Sequence, residues 1–463
     1  MNARGNLRSP DGSRTLDRMF APSVRRDEAL RLLAWGDVQG AFSLLRRLLE
    51  YPASLSENAF PELLDILMQV WRKRREFVLA SAVEAAVRRP RDAMALLEAA
   101  LVVRRHGHRG LAAGLLARAD RMMPGDPRIV TELALALADT RNHRDAAACL
   151  LASGLAESVP LCRALLAMST FMSGDVEATR TWSHVLVDSD DVDVAAAGGR
   201  LADMLARFDA LIGSETASQA GDVAAWHAVL NGALLLHVPA EGYDAGMGGR
   251  YNLLFDEPAL IREGIVRFAA VLDEAGIDAP RIFALPDRSS RVVAMAMGHL
   301  WDRPVATWPE AGTDEPGIVV GYDLRRVDEA VLSTLGRHRA GQALFTHATC
   351  WTTPPPIAPD ATTLLHQRIV APWDAACSIF DPVLGRALPV PEGGVDLAPF
   401  VAAIVEAPPL PAASSRHGVD ALRETVRAAR SLPVARTLGV LRSEGPRLEE
   451  RAGSPVASVH FYA

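Results

Sequence analysis

A helix-hairpin turn that recurs at a near-constant interval constrains this chain more than any other feature. Gly36-Asp37 is followed by Ala41, Gly107-His108 by Ala112, Asn142-His143 by Ala147, and Gly174-Asp175 by Thr179. The turns stand 71, 35 and 32 residues apart, and the longest gap leaves room for one degenerate copy around residues 71–90. From about Arg26 to Asp209 the chain is dominated by Ala, Leu and Arg, all good helix formers. A hairpin of this size cannot bury its apolar face alone, so several must stack to make one continuous core. Glycine suits a left-handed turn residue, and an alanine five positions on lets the two helices approach.

The period resembles that of the tetratricopeptide repeat (TPR), whose unit is about 34 residues. The third copy matches best: Gly107 takes the turn, Ala112 and Ala119 the small positions, Leu116 the large apolar position, and Pro124 closes the unit. The first copy matches through Gly36, Ala41, Leu45 and Pro52. In the fourth, Asn142 stands in the place of the turn glycine and the closing Pro160 comes one position late. The family's opening aromatic and Leu-Gly pair are poorly kept. The resemblance covers roughly 180 residues and implies a helical solenoid whose concave groove holds a partner protein or peptide. Two basic runs, Arg72-Lys73-Arg74-Arg75 and Arg88, Arg89 and Arg91, read first as solvated helix faces, an acidic partner being the other reading.

Composition narrows the function classes. Apolar residues are 49% of the 463 and charged residues 23%, with mean hydropathy +0.10, which is globular composition. The net charge of −7 gives no general polyanion-binding field, so no nucleic-acid partner is expected. No stretch approaches the ~18 consecutive apolar residues of a membrane span, and the first 25 residues lack the apolar region of a secretory signal. The expectation is a cytoplasmic protein of bacterial type with no membrane partner. Four cysteines (Cys149, Cys162, Cys350, Cys377) without a Cys-x-x-Cys pair make neither a disulfide framework nor a zinc knuckle. Lys73 is the one lysine among 49 basic residues, which disfavours a Walker A loop or a Schiff-base lysine in the second half. No cofactor and no metal are expected.

The helical texture stops at the breaker-rich stretch 213–222. The organisation expected is a disordered terminus (1–25), a helical repeat domain (26–212), an α/β domain (222–385), and a proline-rich C-terminal extension with one helix (386–463). In the third segment, residues 233–238 read as a buried strand or a helix end, and 251–255 as a strand. Asp256-Glu257-Pro258 opens a helix that Gly276 closes. Strands at 281–285, 304–308, 317–322 and 342–351 then alternate with helices at 289–300 and 327–337. One more strand is expected at 459–462. Such alternation predicts a doubly wound, mostly parallel sheet. The whole reads as an α-helical repeat solenoid followed by an α/β domain.

The order of these elements resembles the core of a type I phosphoribosyltransferase, over about 100 residues. That family marks its site with an apolar strand ending in two acids, followed by a small, hydroxyl-rich phosphate loop. Here Ile318 to Asp323 supplies one acid, Tyr322 stands where the other belongs, and Leu324-Arg325-Arg326 replaces the loop. The resemblance therefore implies a degenerate site. The candidate ligand residues are Arg288, Ser289, Ser290 and Arg291 at a helix start, with Asp323 and Arg325 after the next strand but one. Arginine, serine and amide groups there suit a phosphate-containing small molecule; the competing reading is a simple helix cap by Asp287 or Ser289. Gly246 to Arg250 is glycine-rich but precedes a strand, the wrong context for a phosphate loop. His347 and Cys350 are three apart on one strand and face opposite sides, and His366 and Asp374 have no metal-like spacing. Catalytic residues stay unassigned. The chain reads as a TPR-type interaction scaffold with a non-catalytic α/β domain, the alternative being a diverged phosphoribosyl- or glycosyl-transferase-like enzyme that binds a phosphorylated or nucleotide-like ligand.

Overall fold

The computed structural model describes all residues except 1–21, 57–58, 214–221, 241–246, 382–385, 391–393, 450, 452–453 and 457–463. Most of the expected disordered terminus, the strand at 459–462 and Gly246 lie outside the described residues. The chain forms two compact units, residues 1–198 and 199–463.

The first unit is a row of helix hairpins: α1 (Pro22–Ala34) with α2 (Val38–Leu49), α4 (Phe60–Lys73) with α5 (Phe77–Arg88), α6 (Ala93–Arg105) with α7 (Arg109–Met122), α8 (Pro127–Asp139) with α9 (His143–Ser153), and α11 (Pro160–Met172) with α12 (Val176–Val187). Two single-turn helices, α3 (Ala53–Ser56) and α10 (Leu155–Ser158), are inserted between hairpins. Every hairpin turn contains one residue of positive φ: Gly36, Arg75, Gly107, Arg141 and Gly174, with φ between 63° and 87°. Their spacings are 39, 32, 34 and 33 residues. The degenerate second copy is therefore real, with arginine in the glycine place. In the fourth copy the glycine place belongs to Arg141, and Asn142 sits where Asp37 and Asp175 cap their helices through Gly40 N and Ala178 N. The residues Ala41, Ala112, Ala119, Leu45 and Leu116 are all fully buried.

In the second unit a seven-stranded parallel sheet runs β1/β2–β7–β6–β5–β3–β4. Its strands are β1 (Leu234–Leu235), β2 (Tyr251–Phe255), β3 (Ile282–Ala284), β4 (Val305–Thr307), β5 (Gly317–Gly321), β6 (Gln342–Cys350) and β7 (Ala361–Val370). β1 and β2 lie end to end along one side of β7. A further hairpin joins β8 (Ser378–Asp381) to β9 (Arg386–Pro389). Alternate residues of each strand enter different cores. Ile282, Ile318, Val320 and Phe345 pack under the helices α15 (Pro258–Ala275), α16 (Arg288–Trp301), α18 (Ala398–Glu406) and α19 (Val419–Ala429). Phe283, Val319 and Leu344 pack against Trp308, Leu324 and Leu332, the last from the short helix α17 (Glu329–Thr334).

Three differences from the sequence reading have physical causes. The division at 198/199 falls inside α13 (Val192–Leu211), because the second half of that helix is tied to the α/β unit: Arg207 donates to the carbonyls of Val229 (2.7 Å) and Arg436 (3.1 Å). The described residues of 386–463 hold two α-helices, and both supply core residues (Val401, Ile404, Leu422, Val426). The ten-residue β7 went unread because its buried positions carry Thr362, Thr363, His366 and Gln367, which hides the apolar run of a buried strand.

Strand β7 is clamped at its start by Asp360. Its carboxylate accepts from Leu344 N (2.7 Å) and from the buried guanidinium of Arg447, while its own backbone bonds Leu344 O (2.8 Å) and Leu234 N (3.0 Å). Burial works against the charged form, but Arg447 and His338 outweigh it and hold the carboxyl below its ordinary value. Asp360→Ala strands a buried arginine and an amide, so unfolding in urea is expected to lose about 3–5 kcal/mol. Gly107 has open space around its absent side chain; Gly107→Ala is expected to cost about 1–2 kcal/mol through backbone conformation alone. Gly114→Ala, whose methyl group meets the carbonyl of Leu49, costs more than Gly107→Ala in the same measurement.

Candidate functional site

The sheet has one switch point. From β3 the chain passes through α16 outward to β4, then returns past β3 to β5 and on to β6 and β7. Ligands of parallel sheets sit outside the carboxyl ends of strands at such a point, here where Asp287 and Tyr322 follow β3 and β5. Asp287 caps α16 by accepting from Ser290 N (3.0 Å) and from the Ser290 hydroxyl, and that hydroxyl in turn accepts from Tyr322 N (2.9 Å). The helix start is thereby fastened to the end of β5.

A cleft of about 230 Å³ opens beside this junction, lined by Asp287, Arg288, Ser289, Arg326, Trp373 and Asp374, among others. Ser289 Oγ accepts from the Trp373 indole (3.0 Å) and, at 3.4 Å, from Arg326. Arg288 donates to the carbonyl of Val390 (2.6 Å). Arg326 reaches Asp374 at 3.5 Å and lies 5.3 Å from the centre of the Tyr322 ring. These polar contacts of Arg326 are at the long limit of hydrogen bonding, so its donors are only loosely used. The two acids are occupied: Asp287 in the cap, Asp374 by Ala371 N (2.8 Å).

The sequence-predicted residues separate into groups. Arg288 and Ser289 reach the cleft, Ser290 is consumed by the cap, and Arg291 is not among the cleft residues. Asp323 and Arg325 close on each other, with Arg325 Nη2 at 2.7 Å and Nε at 3.2 Å. Asp323 also lies 3.3 Å from His366 Nε2. Burial disfavours the Asp323 charge, yet His366 and Arg325 hold the carboxyl well below its usual range. Burial pushes His366 down, against the pull of Asp323. The candidate ligand residues read from the sequence left out Arg326, one position beyond Arg325, and Trp373.

Beneath the cleft lies a second buried group. Tyr322 donates to Asp256 Oδ2 (2.8 Å), and His347 Nε2 stands 3.1 Å from the same oxygen. Burial, then the Asp256 charge, pushes the Tyr322 phenol far up. Cys350 is the register partner of His366 across β6 and β7, whereas His347 lies with Tyr322 and Asp256. All of these side chains are enclosed: Tyr322, His347, Cys350 and His366 have no exposed surface. They brace the strand ends. Among the described residues no three His, Cys, Asp or Glu side chains converge as a metal requires, and no helix is long and apolar enough to cross a membrane.

A larger groove, about 400 Å³, lies elsewhere on this unit, lined by Asp222, Leu235, His417, Leu422 and Thr425, among others. Its polar contact, His417 Nε2 to Asp222 at 3.1 Å, serves a helix: Asp222 caps α14 (Val223–Asn231) through Ala224 N (2.9 Å).

No family model matches the chain, and no curated protein matches it. Solved structures with a similar backbone include a thermophilic TPR protein of Thermus thermophilus, 20% identical, with a TM-score of 0.23. That match covers 39% of this chain and 99% of the other. MamA of AMB-1 is 16% identical with a TM-score of 0.23, covering 38% of this chain and 96% of its own.

Burial, the dominant cause in each case, pushes His227 down to about 3 and His237 and His338 to about 4. Unfolded, these rings take up protons near 6.5; folded, they stay neutral to far lower pH. Between these values the unfolded chain binds more protons, so stability is complete above pH 6.5 and is lost as pH falls toward 4. The melting temperature of the α/β unit is expected to be level from pH 8 to 7 and to fall steadily below 6.5. A level profile down to pH 4 would contradict the burial of these rings.

Proposed function

We propose that the chain is a protein-interaction scaffold in which the helical-repeat unit holds a partner protein or peptide. One observation carries this reading. Of the sixteen large hydrophobic side chains exposed among the described residues, eleven lie between Leu30 and Val192, in the smaller of the two units. Exposed apolar groups more numerous on one body support the reading that this body docks. Stacked repeats make extended surfaces suited to such docking. The test is cross-linking of the full chain to its partner in cells, followed by mapping of the linked peptides. Links concentrated in residues 22–198 are expected; links confined to 199–463 would overturn the reading.

A second reading keeps the α/β unit as a binder of a phosphorylated or nucleotide-like ligand, as a diverged phosphoribosyl- or glycosyl-transferase would be. The loosely used guanidinium of Arg326 beside Arg288 in the switch-point cleft favours it. Inorganic phosphate at millimolar concentration is expected to raise the melting temperature of the full chain, and Arg326→Gln to abolish that rise. An equal rise in the variant removes the cleft from consideration.

A further inference from the structure

We propose that the turn edge of the first three hairpins is a docking surface for an acidic protein segment that carries apolar side chains. The proposal rests on the interaction reading above and assigns the place and the partner's chemistry.

Three turns are drawn together around the ring of Phe42. The Arg74 guanidinium lies 4.5 Å from the centre of that ring, and the His108 ring lies 5.5 Å from it and 5.9 Å from Trp71. Lys73 Nζ donates to the carbonyl of Leu33 (3.1 Å), and Arg74 donates to Gln39 (3.1 Å). Turns 35–37, 74–76 and 106–108 thus form one continuous edge. On it Trp35 is 81% exposed, Phe77 64% and Val78 61%. Tryptophan is highly buried on average in folded chains, so an indole standing this far into solvent is an anchor without its pocket.

The charge on the edge is equally uneven. Lys73, Arg75, Arg105 and Arg109 are exposed, and none has a carboxylate partner among the described residues. Arg74 is paired with Glu76 at 2.8 Å, and the Asp37 carboxylate is engaged by Gly40 N at 2.8 Å. Within a chain of net charge −7 this is a local excess of positive charge against the global sign. An occupant must therefore bring both carboxylates and apolar groups. Trp and Arg are the residues that dominate binding energy at protein interfaces. The apolar anchors supply affinity and the cations select and steer, since exposed ion pairs contribute little alone.

Other occupants fit less well. Residues 1–21 carry four arginines and two aspartates and share the sign of the edge. A single-stranded nucleic acid can stack on aromatic rings between arginines, but the overall negative charge opposes a polyanion, and Val78, Glu76 and Asp37 occupy the same edge. A second copy of the chain is the remaining occupant, and the experiment separates it.

The probe is a library of random 16-residue peptides displayed on phage and selected on the full chain. Peptides rich in Asp and Glu and containing Phe, Leu or Trp are expected. Their binding should weaken at least tenfold in Trp35→Ala/Phe77→Ala and in Arg75→Gln/Arg105→Glu, and it should weaken with added salt. All four side chains are exposed, and unchanged melting temperatures check that the variants stay folded. Selected peptides without acidic bias, or affinities unchanged in both variants, overturn the proposal; the interaction reading then still stands or falls by its own cross-links. A 16-nucleotide oligothymidine that binds more tightly than the peptides overturns it in favour of nucleic acid. Self-association of the full chain in sedimentation, abolished by Trp35→Ala/Phe77→Ala, overturns it in favour of a second copy.

Discussion

The α/β unit depends on a single carboxylate. Asp360 stands before β7, the strand that pairs with β6 on one side and with β1 and β2 on the other. Its backbone starts the ladder in both directions, and its side chain accepts the Leu344 amide and the Arg447 guanidinium. Gly439 passes so close to this carboxylate that a side chain there would strike it. One residue thus fixes where β7 begins, how β6 lies beside it, and where the chain beyond α19 returns. A buried charge is costly unless paired and fully bonded, and here both oxygens are engaged. Because side chains alternate along a strand, a slip of one residue in β7 would turn its polar side chains into the wrong face. The buried Asp360–Arg447 pair penalises that slip.

The helical unit is held together differently. Its contacts are mostly between neighbours in sequence, and its regularity comes from one backbone conformation used five times. Positive φ is easy for glycine and strained for other residues. Arg75 and Arg141 nevertheless adopt it, so the stacking of adjacent hairpins, not the turn residue, decides the local conformation at those two places. Phe42 shows how: its ring receives a guanidinium from the second hairpin and an imidazole from the third.

Much of this architecture was legible in the sequence, and the gaps have specific causes. The small and large apolar positions Ala41, Ala112, Leu45 and Leu116 announced the hairpins because burial selects size at those points. The fourth turn was misaligned by one residue because Arg141 offers no glycine to mark it. Gly317 to Gly321 was evident as a run of small and aliphatic residues, whereas β7 was invisible, its interior being threonine, histidine and glutamine. At the candidate site, Arg288 and Ser289 were readable because they follow a strand and start a helix. Asp323 was readable as a residue but not as a role, since its partner His366 lies on a strand that went unrecognised. Asp256, Tyr322 and His347 come from three separate elements, and only the finished sheet brings them to one oxygen. Trp373 reaches the cleft from beyond β7, and no local pattern marks it.

The near absence of lysine, a compositional oddity in the sequence, acquires a location in the fold. The chain's single ε-amine belongs to Lys73, exposed at the end of α4 and hydrogen-bonded to the carbonyl of Leu33. Arginine, which fills the other 48 basic positions, is inert to acyl donors at neutral pH because its guanidinium stays protonated. Acylation of a side-chain amine in this protein, whether by an enzyme or a reagent, therefore has one address, and it removes a positive charge from the rim that also displays Trp35 and Phe77.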